Sequence, residues 1–535
     1  MSAKADPIYA NYKNALKGAK DGEVVTRFPP EPSGFLHIGH VKAAMLNYHY
    51  SKIYNGKMIL RFDDTNPMNE KIEFVENIQR DLKTLGIHPD QVTHTSDYFP
   101  QIVDYMKKML KDHNAYADNG TAEEMKEQRD NGIESPARKR TPEENLKTFE
   151  QMLEGKAEGW CIRAKMNMQD KFKCLRDPVF YRCKTDTPHH RHGTTYKAYP
   201  TYDFACPIVD ALAGVTHAMR TIEYHDRNDG YWWVQRVLGL RKVEIYDYSR
   251  LNLVSTILSK RSLKWFVEEG IADGWEDPRF PTVQGIMRRG MTPDALKRFM
   301  LEQGPSKNTN LMEWDKIWAY NKEAVDSTAP RYTAIVKETA TKLVLNNGAD
   351  KVYAESQPLH QKNPDLGNKS VLYGKEVWIE TGDAKEIQEG DKVTLMKWGN
   401  AVITKKEDKN GTLTLYADLK VDDKDYKKTK KITWIVNDPN TNFAITLVEL
   451  DHLITKKKVE ENEKVQDIVN YNSYISYTAI AEGAMKSLQK GSIIQLERRG
   501  YFYVDKLELQ AHKMTLHFIP DGKSKNMSTI ESKLD

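Results

Sequence analysis

The sequence predicts a multidomain α/β protein: a parallel, doubly wound sheet split by an insertion, then a helical stretch, then many short strands. Three observations carry this. Residues 24–85 alternate strand-like and helix-like patterns. Residues 97–198 interrupt that rhythm with a polar, charge-dense stretch. From about residue 336, short alternating runs replace helical periodicity.

Val24 to Phe28 reads as a buried strand. It runs into a turn built from Pro29, Pro30, Pro32 and a glycine, and the turn opens onto a helix-like segment, Val41 to Tyr54. Val41, Ala44, Met45 and Tyr48 share one face of that helix. Lys57 to Asp63 is a second strand ending in the carboxylates Asp63 and Asp64. Thr65-Asn66-Pro67 then turns the chain into an amphipathic helix from Ile72 to Leu85. Such alternation predicts a parallel sheet with its ligand beyond the C-terminal strand ends. His37 and His40, at the exit of the proline turn, and Asp63 fall on that rim. A helix N-terminus at the two histidines would present free N–H groups to a phosphate.

The insertion, residues 97–198, has a charge-dense middle (Thr121 to Lys147) and a tail rich in Pro and His. The parallel sheet is expected to resume near Tyr199-Pro-Thr-Tyr202-Asp203-Phe. Residues 264–335 read as helical, with Trp265, Phe266, Leu296, Phe299, Met300, Trp314 and Trp318 as core. Beyond 336 come runs such as Ser370-Val-Leu-Tyr, Glu376-Val-Trp-Ile-Glu, Thr412-Leu-Thr-Leu-Tyr, Lys431-Ile-Thr-Trp-Ile and Gly500-Tyr-Phe-Tyr-Val. Many short strands of this kind mean barrels or sandwiches. Lysine runs at Lys424–Lys431 and Lys456–Lys458 read as solvated loops. No repeat of fixed period is visible.

Composition narrows the class. A chain of 535 residues suggests roughly three or four domains. The formal charge is +4 from 80 basic and 76 acidic residues, so any nucleic-acid surface must come from local segregation of charge. The cysteines Cys161, Cys174, Cys183 and Cys206 show no C-x-x-C spacing, which argues against a disulfide framework or a zinc ribbon. No apolar run approaches the roughly eighteen residues of a membrane span. Met1 to Glu23 is too polar for a secretory leader and lacks arginine, which disfavours a mitochondrial one. The expectation is a cytosolic protein with no membrane partner. The run His189-His190-Arg191-His192 lacks ligand-like spacing, so it reads as a polar loop rather than a metal site; no metal site and no zinc are expected.

Two short segments point to chemistry. One is His37-Ile38-Gly39-His40, and the other is Ile257-Leu258-Ser259-Lys260-Arg261. Together they resemble the HIGH and KMSKS signatures of class I aminoacyl-tRNA synthetases, with Leu258 where many members have Met. Arg27-Phe-Pro-Pro-Glu31-Pro, Arg61-Phe-Asp63-Asp64-Thr-Asn-Pro, Tyr199-Pro-Thr-Tyr202-Asp203-Phe, Tyr248-Ser-Arg250-Leu-Asn-Leu and Asp273-Gly-Trp-Glu-Asp-Pro-Arg279-Phe-Pro-Thr extend the similarity across nearly the whole chain. They look like the glutamyl/glutaminyl branch of the eukaryotic and archaeal type.

The resemblance implies a Rossmann-type catalytic domain (24–96 and 199–263) after a short N-terminal extension (1–23). It also implies an inserted acceptor-stem-binding domain (97–198), a helical subdomain (264–335) and an anticodon-binding pair of β-barrels (336–535). It implies ATP, with Mg²⁺ on its phosphates, L-glutamate and tRNA(Glu) as ligands. His37, Gly39, His40, Ser259, Lys260 and Arg261 would meet ATP, with His37, His40 and Lys260 carrying the catalysis. Negative charge builds on the attacked phosphate and the departing pyrophosphate, and fixed imidazoles and an ammonium suit that charge. Arg27, Asp63, Tyr202 and Arg220 would bind glutamate, with Glu31 and Asp203 shaping the pocket. Asp226 would face the acceptor stem and Arg331 the anticodon side. Many eukaryotic members carry a long N-terminal interaction domain. Only Met1 to Glu23 precede the first strand here, so the resemblance leaves multisynthetase partners open.

Arg220 separates glutamate from glutamine. In the glutaminyl branch its position is typically small and uncharged. A guanidinium pairs with the γ-carboxylate of glutamate and loses that partner when offered an amide. The bland alternative is that Arg220 forms an ordinary ion pair with Glu223. For Asp63 the alternative is a helix cap or strand-end charge. The competing functions are a glutaminyl-tRNA synthetase, a non-discriminating glutamyl enzyme and an inactive RNA-binding scaffold.

Overall fold

The computed structural model describes residues 16–460, 463–508, 513–523 and 527. Most of the N-terminal extension, residues 1–15, lies outside them. The chain divides into two compact units. The first comprises residues 1–252 and 297–311, and the second 253–296 and 312–535.

The first unit is built on β1 (Val25–Phe28), α1 (Ile38–Ile53), β2 (Lys57–Phe62), α2 (Ile72–Thr84) and β3 (Gln91–His94). The strands β1, β2 and β3 pair in parallel, with Arg27 opposite Ile59 and Leu60 opposite Val92. Gly56 makes the turn into β2 possible, because a Cβ there would lie 1.9 Å from the carbonyl oxygen of Val24.

The insertion follows as α3 (Phe99–Lys111), β4 (Ala115–Asp118), α4 (Ala122–Asn131), α5 (Pro142–Leu153), β5 (Cys161–Ala164), β6 (Val179–Cys183) and β7 (Ala198–Pro200). Its four strands form an antiparallel sheet in the order β4-β5-β6-β7. This corrects one expectation. The strand at Tyr199 does not resume the parallel sheet; it pairs antiparallel with β6, Tyr199 opposite Arg182.

Parallel pairing resumes after α6 (Tyr202–Leu212), with β8 (His217–Thr221), α7 (Asn228–Leu238) and β9 (Glu244–Tyr248). The Thr216 N–H donates to the Val25 carbonyl at 2.9 Å, which brings β8 alongside β1. The order is therefore β3-β2-β1-β8-β9, the layout of a doubly wound domain. One apolar cluster joins Leu46, Tyr50 and Ile53 of α1 to Met219 and Tyr248. Another joins Ile59, Cys206, Ala218 and Tyr231.

The second unit contains helices Lys260–Glu268, Val283–Arg288 and Asp315–Asp326 and two seven-stranded sheets. In one sheet the edge strands are Lys430–Ile432 and Trp434–Val436, separated in the chain by Thr433 alone. In the other they are Arg331–Tyr332 and Ala334–Val336, separated by Thr333 alone. One residue cannot span an open sheet, so each sheet curls into a nearly closed barrel.

The two barrels share a topology. Each has a parallel edge strand, a three-strand meander, a parallel neighbour and two further antiparallel strands. Their first hairpins match as well: Leu395 faces Gly399 and Leu496 faces Gly500. Lys397 and Arg498 occupy the same left-handed position, at φ 61° and 62°. Each barrel has its own apolar core, around Leu343, Leu395, Ala401 and Leu415 in one and Leu447, Leu496, Phe502 and Leu516 in the other.

Candidate active site

Beyond the C-terminal ends of β1, β2 and β8 lies a cavity of about 590 Å³. Arg27, Glu31, His37, Gly39, His40, Asp63, Tyr202 and Arg220 line it, along with Arg182, Glu223 and Tyr248. Eight of the residues expected from sequence thus meet on one wall system of the first unit.

The proline turn is pinned in place: the Asp63 N–H donates to the Pro30 carbonyl at 3.0 Å and the Lys71 N–H to that of Pro32 at 3.1 Å. His37 caps α1. Its Nδ1 accepts from the Gly39 N–H at 3.2 Å, while the His37 N–H donates to Nδ1 of His40 at 3.1 Å. The two rings stack with centroids 3.6 Å apart. A nitrogen that accepts an N–H bond carries no proton, so both neutral rings hold theirs on Nε2. The turn thus sets two Nε2–H donors beside the positive end of a helix, an arrangement suited to phosphate oxygens.

The floor is charged and buried. Asp210 of α6 accepts from Arg27 Nε at 3.0 Å, from Arg61 Nη1 at 2.6 Å and from Tyr231 Oη at 2.7 Å. Burial pushes its carboxyl up, but Arg27 and Arg61 outweigh that and hold it down at about 2. Arg27 also donates from Nη1 to the Met219 carbonyl at 3.1 Å, so much of its guanidinium is committed to the protein.

Arg220 is different. It is only 4 % exposed, and no carboxylate lies within ion-pair distance of it among the described residues. Nη1 donates to Asn228 Oδ1 at 3.2 Å, and Nε has no hydrogen-bond partner. The rings of Tyr202, Tyr224 and Tyr231 surround it at 5.8, 5.2 and 5.3 Å. The ion pair with Glu223 that sequence alone left open is not formed. A buried cation without a counter-ion is costly, and an anion entering the cavity would relieve that cost.

Asp63 is half-buried and lines the cavity. Its Oδ1 accepts from Thr65 Oγ1 at 3.2 Å. Burial raises its carboxyl to about 7; Arg61 opposes the rise, and Asp64 and Glu70 add to it. Lys42 on α1 is buried and donates from Nζ to the Ser249 carbonyl at 2.6 Å and to Ser249 Oγ at 3.1 Å. Burial lowers its ammonium to about 8, with Glu223 opposing.

Other expected residues stand elsewhere. Asp203 is paired with Arg227 and does not line this cavity. Asp226 is exposed in the turn Ile222–Arg227, where its carbonyl accepts from Cys174 Sγ at 3.5 Å. Ser259, Lys260 and Arg261 belong to the second unit. There Ser259 caps the helix Lys260–Glu268 by accepting from the Ser262 N–H at 3.4 Å. Arg331 starts an edge strand of one barrel, half-buried, with Nε lacking a hydrogen-bond partner.

The histidine run is buried at His189, while Arg191 is exposed and His190 and His192 are half-buried. His189 is 2 % exposed, donates from Nε2 to the Asp64 carbonyl at 2.8 Å, and accepts at Nδ1 from the Arg191 N–H at 3.1 Å. Asp64 in turn accepts from the Ser96 N–H at 2.8 Å and Oγ at 2.6 Å. Asp64, His189 and His190 are close enough together to suggest a cation. Both nitrogens of His189 are already spent on backbone, however, so the run works as a clamp behind Asp63.

Sequence reasoning assigned no role to Asp210, Tyr231 or Lys42. The signal for Asp210 was present: Tyr202, Cys206 and Asp210 recur every fourth residue on one face of α6, and a carboxylate closes an otherwise apolar run.

The family model for the catalytic domain of class I tRNA synthetases (E and Q) matches residues 23–327. Two models for the anti-codon binding domain of the same family match residues 329–422 and 431–505. A glutamate–tRNA ligase named cytoplasmic from Arabidopsis thaliana is 48% identical over 516 residues, 95% of this chain and 71% of the relative. Its counterpart from Saccharomyces cerevisiae is 49% identical over 530 residues, 98% of this chain and 74% of the relative. Bifunctional glutamate/proline–tRNA ligase of Mus musculus is 46% identical over 530 residues, 97% of this chain and 35% of the relative. The chain belongs to the class I tRNA synthetases of the E and Q family.

Proposed function

We propose that this chain is a glutamate–tRNA ligase. The observation that carries the reading is Arg220, a buried guanidinium facing the cavity with no carboxylate partner of its own. The γ-carboxylate of glutamate supplies that partner. Glutamine presents an amide and leaves the cation uncompensated.

The substrate α-carboxylate attacks the α-phosphorus of ATP; the bond to the bridging oxygen breaks and pyrophosphate leaves, giving glutamyl-adenylate. The hydroxyl of the terminal tRNA adenosine then displaces AMP. His37 and His40 donate Nε2–H to phosphate oxygens as charge develops. Asp63 accepts from the α-ammonium, and Tyr202 orients the substrate. Arg27 offers a carboxylate only those donors that Asp210 and Met219 leave over. Mg²⁺ would arrive on the ATP phosphates and offset their charge; Glu31 and Glu223 at the cavity provide the oxygen donors such a hydrated cation accepts. The role assigned to Lys260 by its motif is to meet the charge on pyrophosphate, with Ser259 and Arg261 beside it.

For tRNA we assign residues 97–198 with Asp226 to the acceptor stem, and the barrels with Arg331 to the anticodon. Residues 24–96 and 199–263 form the catalytic domain and 264–335 a helical connector. Amino-acid activation is expected to require bound tRNA. Charging of total tRNA with labelled glutamate and, separately, labelled glutamine tests the reading. Glutamate alone should be transferred. Transfer of glutamine would place the chain in the glutaminyl group, and transfer of neither would make it a scaffold.

A further inference from the structure

We infer that Asp210 is a positioning residue for amino-acid selection: by pairing with Arg27 and Arg61, it leaves Arg220 as the one floor guanidinium without a carboxylate partner among the described residues. This rests on the glutamate reading of the cavity.

Three guanidiniums, those of Arg27, Arg61 and Arg220, crowd the floor, all at most 4 % exposed. Asp210 is the one carboxylate among the described residues paired with any of them. Its Oδ1 lies 3.0 Å from Arg27 Nε and 2.6 Å from Arg61 Nη1. Three cations and one anion leave two positive charges; Asp63, when ionised, removes a second. Glutamate carries one net negative charge at neutral pH, so its arrival balances the floor, whereas glutamine leaves one charge bare.

The carboxylate also reaches Arg220 through a second residue. Tyr231 Oη donates to Asp210 Oδ2 at 2.7 Å, and the same ring lies 5.3 Å from the Arg220 guanidinium. Asp210 thus fixes the tyrosine against which Arg220 rests. Cys206, one turn earlier on α6, sits 3.7 Å from both Arg27 Nη2 and Arg61 Nη2. It offers them a weak acceptor in place of a second carboxylate. Without Asp210, Arg27, which lines the same cavity, would compete with Arg220 for the side-chain carboxylate.

The test uses the full chain with tRNA, comparing wild type, Asp210→Asn and Tyr231→Phe. The Asn variant keeps shape and removes charge. Its KM for glutamate should rise about tenfold or more, the KM for ATP should stay put, and the preference for glutamate over glutamine should shrink by a similar factor. Tyr231→Phe breaks only the link to Arg220 and should raise the KM for glutamate a few-fold. A purely structural role would lower the active fraction and leave both KM values and the preference intact; that result in either folded variant overturns the proposal. If Asp210→Asn does not fold, Tyr231→Phe decides alone. A wild type that fails to charge glutamate would overturn the functional reading itself, a distinct outcome.

Discussion

The floor of the cavity and the interiors of the two barrels are equally buried and are held together in opposite ways. In the barrels, Leu343, Leu415, Phe502 and Leu516 fill closed sheets, and contact is undirected. On the floor, Arg27, Arg61 and Asp210 fill the space with charge, and each bond has a direction. The first arrangement contributes stability and tolerates similar shapes. The second sits at high electrostatic cost and is retained where a charged ligand completes it.

Breaking a barrel should cost stability and spare selectivity. Phe502→Ala, which removes a buried ring packed 5.6 Å from Phe518, should destabilise the second unit. The expected cost is about 3–5 kcal/mol by denaturant titration. The ratio of glutamate to glutamine charging by the remaining folded protein should not move. A changed ratio would erase the distinction.

Breaking the cavity should do the reverse. Asp63→Asn keeps the shape and removes the acceptor for the substrate ammonium. Its kcat/KM for glutamate should fall about a hundredfold, on the order of 2–3 kcal/mol, with Tm little altered. An unaffected kcat/KM would return Asp63 to a strand-end role.

Acid should sharpen the contrast more gently. The Asp63 carboxyl titrates near about 7, above its ordinary value, so the free cavity loses this acceptor as pH falls through that point. Between pH 8 and pH 6 the kcat/KM for glutamate should drop about tenfold, following the ionised fraction. Asp63→Asn should flatten that limb. The linked effect on folding has the opposite sense: a raised carboxyl favours the folded state at low pH, and that contribution is lost as pH rises through about 7. The smallest effect is expected on the lysine run of the second unit. Lys458 pairs with Glu460 on the exposed surface, and Lys458→Ala should leave Tm within about 1 °C.

The same contrast explains what the sequence disclosed. Barrel strands such as Glu376–Glu380 and Gly500–Glu508 announce themselves by alternation, a local property. The closures at Thr433 and Thr333 do not, because they depend on which strands meet at the far edges. The shared topology of the barrels was hidden for that reason too, since no residue period accompanies it. Strand β7 looked like a return to the parallel sheet because three residues carry no sign of pairing direction. In the cavity, His37 and His40 were legible because both the motif and the helix cap are local. Asp210 showed only its spacing on α6, since its partner Arg27 lies 183 residues away. The clamp of His189 on Asp64 spans 125 residues, so the sequence showed only a polar loop there.

The central claim is that Arg220 is buried for want of a substrate carboxylate. The measurement that addresses it most directly is tRNA charging by wild type and Arg220→Ala, each with glutamate and with glutamine. Wild type should transfer glutamate alone, and the variant should lose at least about a hundredfold in kcat/KM for glutamate with no comparable change for ATP. A variant that charges glutamate as wild type does would contradict the claim and leave the buried guanidinium as a structural residue.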